Sequence, residues 1–442
     1  MKRGKLVFLI GCAVLLAVSS VAVACTSQPA AKPATQAQPA ATAVPTMIKI
    51  GMGDPLTGPY ATTCTPIFNG CKDYLTWVND NGGLTVNGKS YKFDIEWADT
   101  KGDVPTGLAT YKRFVEDGCP VFEQSTTAEA SAQNPVSLDL KVPIIGSGGT
   151  DDQQRNNDLV YVYMFDVPYQ ISNPIALQWY HDNMWKGTGR MKVARLYVDL
   201  AMGKIMDTQP VNDLITQGLG YDLLPVEWFP ATITDFTPYL LRIKDENPDV
   251  VLCQCITDPF ALALKDAVRL GMDVTKPQFI GCEWAGINSA FLKSAGPVAE
   301  GSISSYYYKN FWDTLDNANN PDIQKELDVA QKYQNTRRPP ENYAKGYGQG
   351  VVIRTAIERA LQNSGSATKE SVQAELTKFS NVDIVVTGPV TWTNCQRDSL
   401  QCGIVTVKNG ALTPLTPPNL QAVPGTKDRM GYLWGGGCKA SQ

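Results

Sequence analysis

The sequence predicts an α/β protein built as two doubly wound parallel-sheet lobes. Three observations carry that prediction. Strand-like and helix-like runs alternate along most of the chain, the pattern of parallel sheets with helices on both faces. The alternation restarts near residue 191. At 442 residues the chain holds two or three domain-sized units, so a single sheet would be oversized.

The chain opens with a secretory leader. Lys2, Arg3 and Lys5 form a charged start, Leu6 to Val23 an apolar stretch, and Ala22-Val23-Ala24 the small residues before Cys25. That is the layout of a cleaved signal peptide over 1–24. An uncleaved anchor is the competing reading; the small residues and the abrupt polar switch favour cleavage. Residues 25–46 are rich in Ala, Pro, Gln and Thr. They bury too little apolar surface to offset ordering entropy, so a disordered tether of roughly 25 Å mean span is expected.

The run MIKIGMG (47–53) reads as the first strand. Ile67, Cys71, Leu75 and Val78 then recur at helical spacing, and Gly82-Gly83 stop that helix. YKFDIEWAD (91–99) alternates like a strand. Leu108, Tyr111, Phe114 and Val115 mark a helix ending at Gly118. PVFEQ and VPIIGS are short strands, with AEASAQNPVSLDL as a helix between them. In the second half, MKVARLYVD (191–199), LLPVEWF (223–229), DVVLCQC (249–255) and QFIGC (278–282) read as buried strands. Helices are expected over 203–217, 236–247, 259–270 and 345–362, and around Val372, Leu376 and Phe379. From about residue 383 hairpin-like segments follow, VVTGPVTW and GIVTVKNGAL.

The formal charge is −4, and −7 once the basic residues of the leader are removed. No basic run appears, which excludes nucleic acid as the expected partner. Ten cysteines remain from Cys25 onward, in keeping with an oxidising compartment. Cys64 with Cys71 and Cys395 with Cys402 are candidates for local bridges. Cys253, Cys255 and Cys282 lie in or beside strands, and Cys119 and Cys438 have no evident partner. No CxxC occurs, so no zinc or other metal is expected, and no cofactor motif such as GxGxxG after a strand or a P-loop is present.

Three stretches suit a ligand. In EQSTTAEA, Ser125, Thr126 and Thr127 occupy the turn between a strand and a helix, where hydroxyls and first-turn N–H groups hold a carboxylate; a plain helix cap reads equally well. In GSGGT, Gly148 and Gly149 admit a ligand to the backbone and Thr150 adds a hydroxyl, or the segment is a simple loop. In GCEWAG, Glu283 follows a buried strand, where a charge needs a partner. That partner is a ligand ammonium group or an internal ion pair.

These residues resemble a known family. IKIGMGDPLTGPYA, VFEQSTTAEASAQNPVSLDLKVPIIGSGGTD, VARLYVDLAMGK, DVVLCQC and PQFIGCEWAG occur in the order and at about the spacing of the type I periplasmic solute-binding proteins of branched-chain amino acid ABC transporters. The resemblance covers Ile48 to about Thr413. It implies two lobes joined by three crossovers, lobe 1 from 47–167 plus 303–385 and lobe 2 from 168–302 plus 386–425, with 426–442 as a tail. It also implies a solute enclosed between the lobes. By the same resemblance Thr127 holds an α-carboxylate, Thr150 helps bind the α-amino and α-carboxyl groups, Glu283 contacts an α-ammonium, and Tyr60, Met202, Thr257 and Trp284 face the ligand side chain. Met202 and Trp284 depart from the family's usual residues, which opens amides and other small polar solutes beside leucine-type ligands. The leader resembles a bacterial lipoprotein signal, making Cys25 the lipidated residue and the membrane surface and an ABC permease the partners.

An enzyme is the weaker reading. His181 is the only histidine, with no nucleophile motif near it, and Cys282 beside Glu283 reads as a buried thiol or bridge. The expectation is an extracytoplasmic, lipid-anchored receptor for an amino acid or similar small polar solute. A ligand sensor reporting to a membrane partner is the second class.

Overall fold

A computed structural model describes residues 44–147, 161–164, 166–276, 278–285, 288–307, 319–385, 389–392 and 402–416. The expected leader, lipidated Cys25, most of the tether and the C-terminal tail lie outside the described residues, as do Gly148, Gly149, Thr150, Cys395 and Cys438.

The first sheet uses β1 (Thr46–Asp54), β2 (Leu84–Val86), β3 (Lys89–Asp99), β4 (Phe122–Gln124), β5 (Ile144–Gly146) and β6 (Val162–Met164), in the order β2-β3-β1-β4-β5-β6. Only β2 runs antiparallel. The second half of β1 is buried without alternation, as a central parallel strand covered on both faces must be.

The second sheet uses β7 (Lys192–Val198), β8 (Asp222–Phe229), β9 (Val250–Gln254), β10 (Gln278–Gly281), β11 (Ile303–Tyr306), β14 (Gly403–Lys408) and β15 (Ala411–Pro414). Its order is β15-β14-β11-β10-β9-β7-β8, with β14 and β15 antiparallel. A two-stranded ribbon, β12 (Val382–Asp383) with β13 (Pro389–Val390), stands apart.

The helices that cover these sheets are α1 (Ala61–Asp80), α2 (Val104–Glu116), α3 (Thr127–Leu140), α4 (Tyr169–Asn183), α5 (Ala201–Lys204), α6 (Gln209–Asp213), α7 (Thr237–Asp245), α8 (Thr257–Arg269), α9 (Ser289–Ala295), α10 (Pro321–Gln334), α11 (Asn342–Ser364) and α12 (Lys369–Leu376). α10 and α11 return to pack on α1 of the first lobe, and α4 packs against β11 of the second. The chain therefore passes between the lobes after β6, after β11 and between β13 and β14. Near the last passage, Trp392 stacks on Phe379 at 5.1 Å and lies 5.1 Å from Tyr163 of β6.

Three expectations are corrected. Residues 303–306 do not begin the return to lobe 1: they form β11, whose Ile303 pairs with Ile280 of β10. The helix expected over 203–217 is broken, because Thr208 adopts an extended backbone and Pro210 starts a new helix. Proline is suited to a first turn and not to a helix interior. Finally, Cys64 and Cys71 are free, buried thiols on one helix. Seven residues of helical rise separate them by about 10 Å, too far for a disulfide. Cys253, Cys255, Cys282 and Cys402 are also free and buried, which removes the bridge expected at Cys402.

Candidate functional site

Each sheet reverses its winding at one place, β1 against β4 in the first and β7 against β9 in the second. Open α/β sheets bind ligands at the carboxyl ends of the strands flanking such reversals. Both points meet here. Tyr60 follows β1 and Gly102 follows β3. Ser125, Thr126, Thr127 and Ala128 follow β4, Leu200, Ala201 and Met202 follow β7, Ile256 follows β9, and Trp284 follows β10. Together with Cys64 and Tyr169 they line one cavity. Its volume is about 30 Å³, on a scale where one water takes about 10–15 Å³, so larger solutes require the lobes to part. Gly102 has φ +72°, and a Cβ there would stand 2.6 Å from the Tyr60 ring; glycine lets that ring into the wall.

The first-lobe wall is polar. Thr126 precedes α3 in an extended conformation, and its N–H donates to Gln124 Oε1 at 2.7 Å. The following first-turn N–H groups have no acceptor within the helix. The Ser125 hydroxyl donates to Asp54 Oδ1. The Thr127 side chain lies beside Tyr169, the residue that opens α4. The second-lobe wall, Leu200, Met202, Ile256 and Trp284, is apolar apart from the Trp284 indole N–H. That N–H is buried without a hydrogen-bond partner among the described residues.

Behind the first wall lies a group of buried acids. Asp54 and Glu123 are fully buried and their carboxyls are hydrogen-bonded to each other. Burial raises both: Asp54 to about 6, and Glu123 well above the carboxylate range, where its charged neighbour Asp54 adds to the effect. Among the described residues no group of three His, Cys, Asp or Glu side chains is arranged to hold a metal ion.

Glu129, in the first turn of α3, accepts from Thr100 Oγ1 at 2.7 Å and is raised by burial to about 7. Its folded value exceeds its unfolded one, so between about 4.5 and 7 the folded chain holds a proton that the unfolded chain has released. Stability then falls as pH rises through that window. At 1.36 kcal/mol per unit the loss is on the order of 3 kcal/mol. Glu129→Gln, which keeps an acceptor for Thr100, is expected to leave stability near pH 4.5 unchanged and raise it at pH 8. Urea unfolding at the two pH values measures this, and an equal effect at both would exclude it.

Glu283 is fully buried but does not line the cavity. Its neighbours are the hinge groups Lys345 of α11 and Asp166 of the first crossover. Burial pushes Glu283 up to about 7 against the pull of Lys345. Burial lowers Lys345, opposed by Asp166 and Glu283. The Lys345 ammonium also sits 4.0 Å from the Trp284 ring centroid and 4.9 Å from that of Tyr307, a cation–π placement. The Ser172 hydroxyl donates to Glu283 Oε2 at 3.4 Å, while Glu283 Oε1 is buried with no hydrogen-bond partner among the described residues. Thr257 is likewise off the cavity: its hydroxyl donates to the Trp284 carbonyl at 3.0 Å and accepts from Asn288 at 3.0 Å, fixing the Trp284 loop.

Of the expected ligand-facing residues, Tyr60, Ser125, Thr126, Thr127, Met202 and Trp284 come together. Sequence reasoning missed Asp54, Glu123, Tyr169 and Lys345. A lone Asp ending an apolar strand and a lone Lys in the small-residue run NYAKGYGQG were the signals available. The groups considered for catalysis lie elsewhere or are tied. His181 bonds Asp182 at 2.8 Å and stacks on Trp185. The Cys282 thiol donates to Cys255 O at 3.0 Å and is pushed up to about 12 by burial.

A family model described as periplasmic binding protein matches residues 47–410. The chain is 25% identical to Leu/Ile/Val-binding protein homolog 1 of Brucella melitensis over 331 residues, 74% of this chain and 81% of that one. Among solved structures it is similar to a branched chain amino acid ABC transporter protein from Thermus thermophilus with bound valine. There the TM-score is 0.75 at 21% identity, over 87% of this chain and 98% of that one. It is also similar to a fatty acid ABC transporter substrate-binding protein from Thermomonospora curvata, with TM-score 0.71 at 19% identity over 87% and 94%. With most of its length under that family match, the chain belongs to the periplasmic binding proteins, among relatives of the leucine, isoleucine and valine binders.

Proposed function

We propose that the protein is the extracytoplasmic solute receptor of an ABC importer, tethered to the membrane surface through lipidated Cys25. It encloses a small solute with a polar head and an apolar tail between its lobes and presents the shut form to a permease. The observation that carries this reading is the single cavity at which both switch points converge, polar on one wall and apolar on the other. Contacts from both walls exist only when the lobes are shut, so a solute that bridges them shifts the protein toward closure. Its similarity to a Leu/Ile/Val-binding protein homolog and to ABC transporter binding proteins supports transport. Among the described residues no histidine and no ionised base lines the cavity beside its hydroxyls and the Cys64 thiol, which supports binding without catalysis.

The test is a melting-temperature screen of L-amino acids, short carboxylates and small amides, followed by solution scattering. A solute at 100 times its Kd is expected to add about 2.7 kcal/mol of stability and to reduce the radius of gyration. No shift with any of the three classes overturns the receptor reading. Continued membrane association of Cys25→Ser overturns the lipid tether alone.

A further inference from the structure

Resting on the receptor reading of the cleft, we propose that it selects a small neutral amide over an amino acid or a free carboxylate. The amide oxygen would meet the first turn of α3 and its N–H2 would meet Ser125. The argument begins with which groups are already engaged. A carboxylate has about four lone-pair sites to satisfy. One hydroxyl suited to it is taken: Ser125 donates to Asp54. A serine hydroxyl has one proton and two lone pairs. With its proton on Asp54 and the Cys64 thiol alongside, Ser125 has a lone pair left for the cavity. It therefore asks the ligand for a donor.

The opposite demand comes from two other places. The first-turn N–H groups of α3 need an acceptor, and so does the Trp284 indole N–H, buried and unpaired on the facing wall. One ligand group that accepts on one side and donates on the other meets both demands, and a carboxamide is such a group. A simple amine supplies the donor and leaves α3 without an acceptor.

Charge points the same way. No ionised side chain lines the cavity among the described residues, while Asp54, Glu123 and Glu129 stand directly behind its polar wall. An anionic head placed against Ser125 is repelled by Asp54, which accepts the Ser125 hydrogen bond. The acid that would anchor an ammonium, Glu283, does not line the cavity. Among the described residues, a zwitterion's ammonium thus finds no acid on the cavity wall. Leu200, Met202, Ile256 and the Trp284 ring receive the substituent of the amide.

Two matched series test this on the full chain by calorimetry: isovaleramide, isovalerate and valine, then acetamide, acetate and glycine. Within at least one series the amide is expected to bind at least tenfold more tightly than its acid and amino acid. Ser125→Ala is expected to weaken the amide about tenfold and to leave the acid unchanged or improved, while Ser125→Thr retains binding. If Ser125→Ala does not fold, Trp284→Phe is expected to weaken the amide several-fold while keeping the ring. Tighter binding of valine, glycine or either acid overturns the amide inference and leaves the receptor reading standing, as does binding confined to other amino acids or carboxylates of the wider panel. No binding in either series, with an unchanged scattering radius across the wider panel, overturns both.

Discussion

Gly346→Ala is expected to cost about 4 kcal/mol or more, or to prevent the first lobe from folding. Gly346 sits where α11 crosses α1. A Cβ there would stand 1.6 Å from the Ile67 carbonyl oxygen, 2.5 Å from its carbon and 2.9 Å from the Cys71 nitrogen. The facing Gly70 meets Tyr343 O at 2.1 Å and Tyr347 N at 2.7 Å in the same way. Extra methylenes in a packed core usually cost about 1–3 kcal/mol because side chains move aside. Here the obstacle is backbone on both sides, so the helices themselves must separate, which places the effect in the diagnostic tail above about 4 kcal/mol. Gly350→Ala, one turn along, is the graded control: its Cβ would first meet the Tyr74 ring at 2.9 Å, which can swing, and alanine recovers about 1 kcal/mol of helix propensity. Urea midpoints measure both. A Gly346→Ala protein with the parent's midpoint would mean that the two helices stand further apart.

The same crossing has a functional consequence. α11 carries Lys345 to the hinge cluster, and Gln349, which bonds the Gln124 carbonyl at 3.2 Å just before the Ser125 turn. One helix therefore positions both the floor of the polar wall and the cation between the lobes. Displacing it moves the site and not only the core.

This explains what was legible from sequence and what was not. The strand–helix alternation marks every central strand of both sheets except β6 and β11, and hydroxyls following a buried strand mark the polar wall. Those signals are local. β11 was misplaced because Ile-Ser-Ser-Tyr carries no period that says which sheet it joins; its partners, Ile280 and Thr406, lie far off in sequence. The break at Thr208 was present in the text as Pro210 and yielded to apolar spacing. Asp54, Glu123 and Lys345 were missed for a different reason. Each is an ordinary charged residue until burial is known, and its partner lies between about 60 and 180 residues away. Ser125 was found for its hydroxyl, but which way that hydroxyl donates depends on Asp54, and no spacing rule connects them.

Lys345→Met is expected to cost about 3–5 kcal/mol near pH 8, the range seen when one partner of a buried charge pair is removed. Lys345, Glu283 and Tyr307 are all fully buried, so water cannot replace the lost cation. Glu283 is held down by Lys345 against burial. Without the lysine its carboxyl rises further above 7, and the folded protein retains a proton that the unfolded chain has released near pH 4.5. The penalty is therefore largest at high pH and shrinks as the pH falls and the acids take up protons. Adding Glu283→Gln removes one of the stranded acids, and the double variant is expected to recover part of the loss; Asp166 keeps the remainder. Glu283→Gln alone leaves Lys345 with Asp166 and is expected to cost far less than Lys345→Met, a non-additivity of about 1–3 kcal/mol in a double-mutant cycle. Additive effects, independent of pH, would mean that Lys345 packs on Trp284 and Tyr307 without answering the acids. In that event Glu283 would be left without its protein cation and returned to the role of ammonium anchor, and the same cycle would count against the amide as ligand.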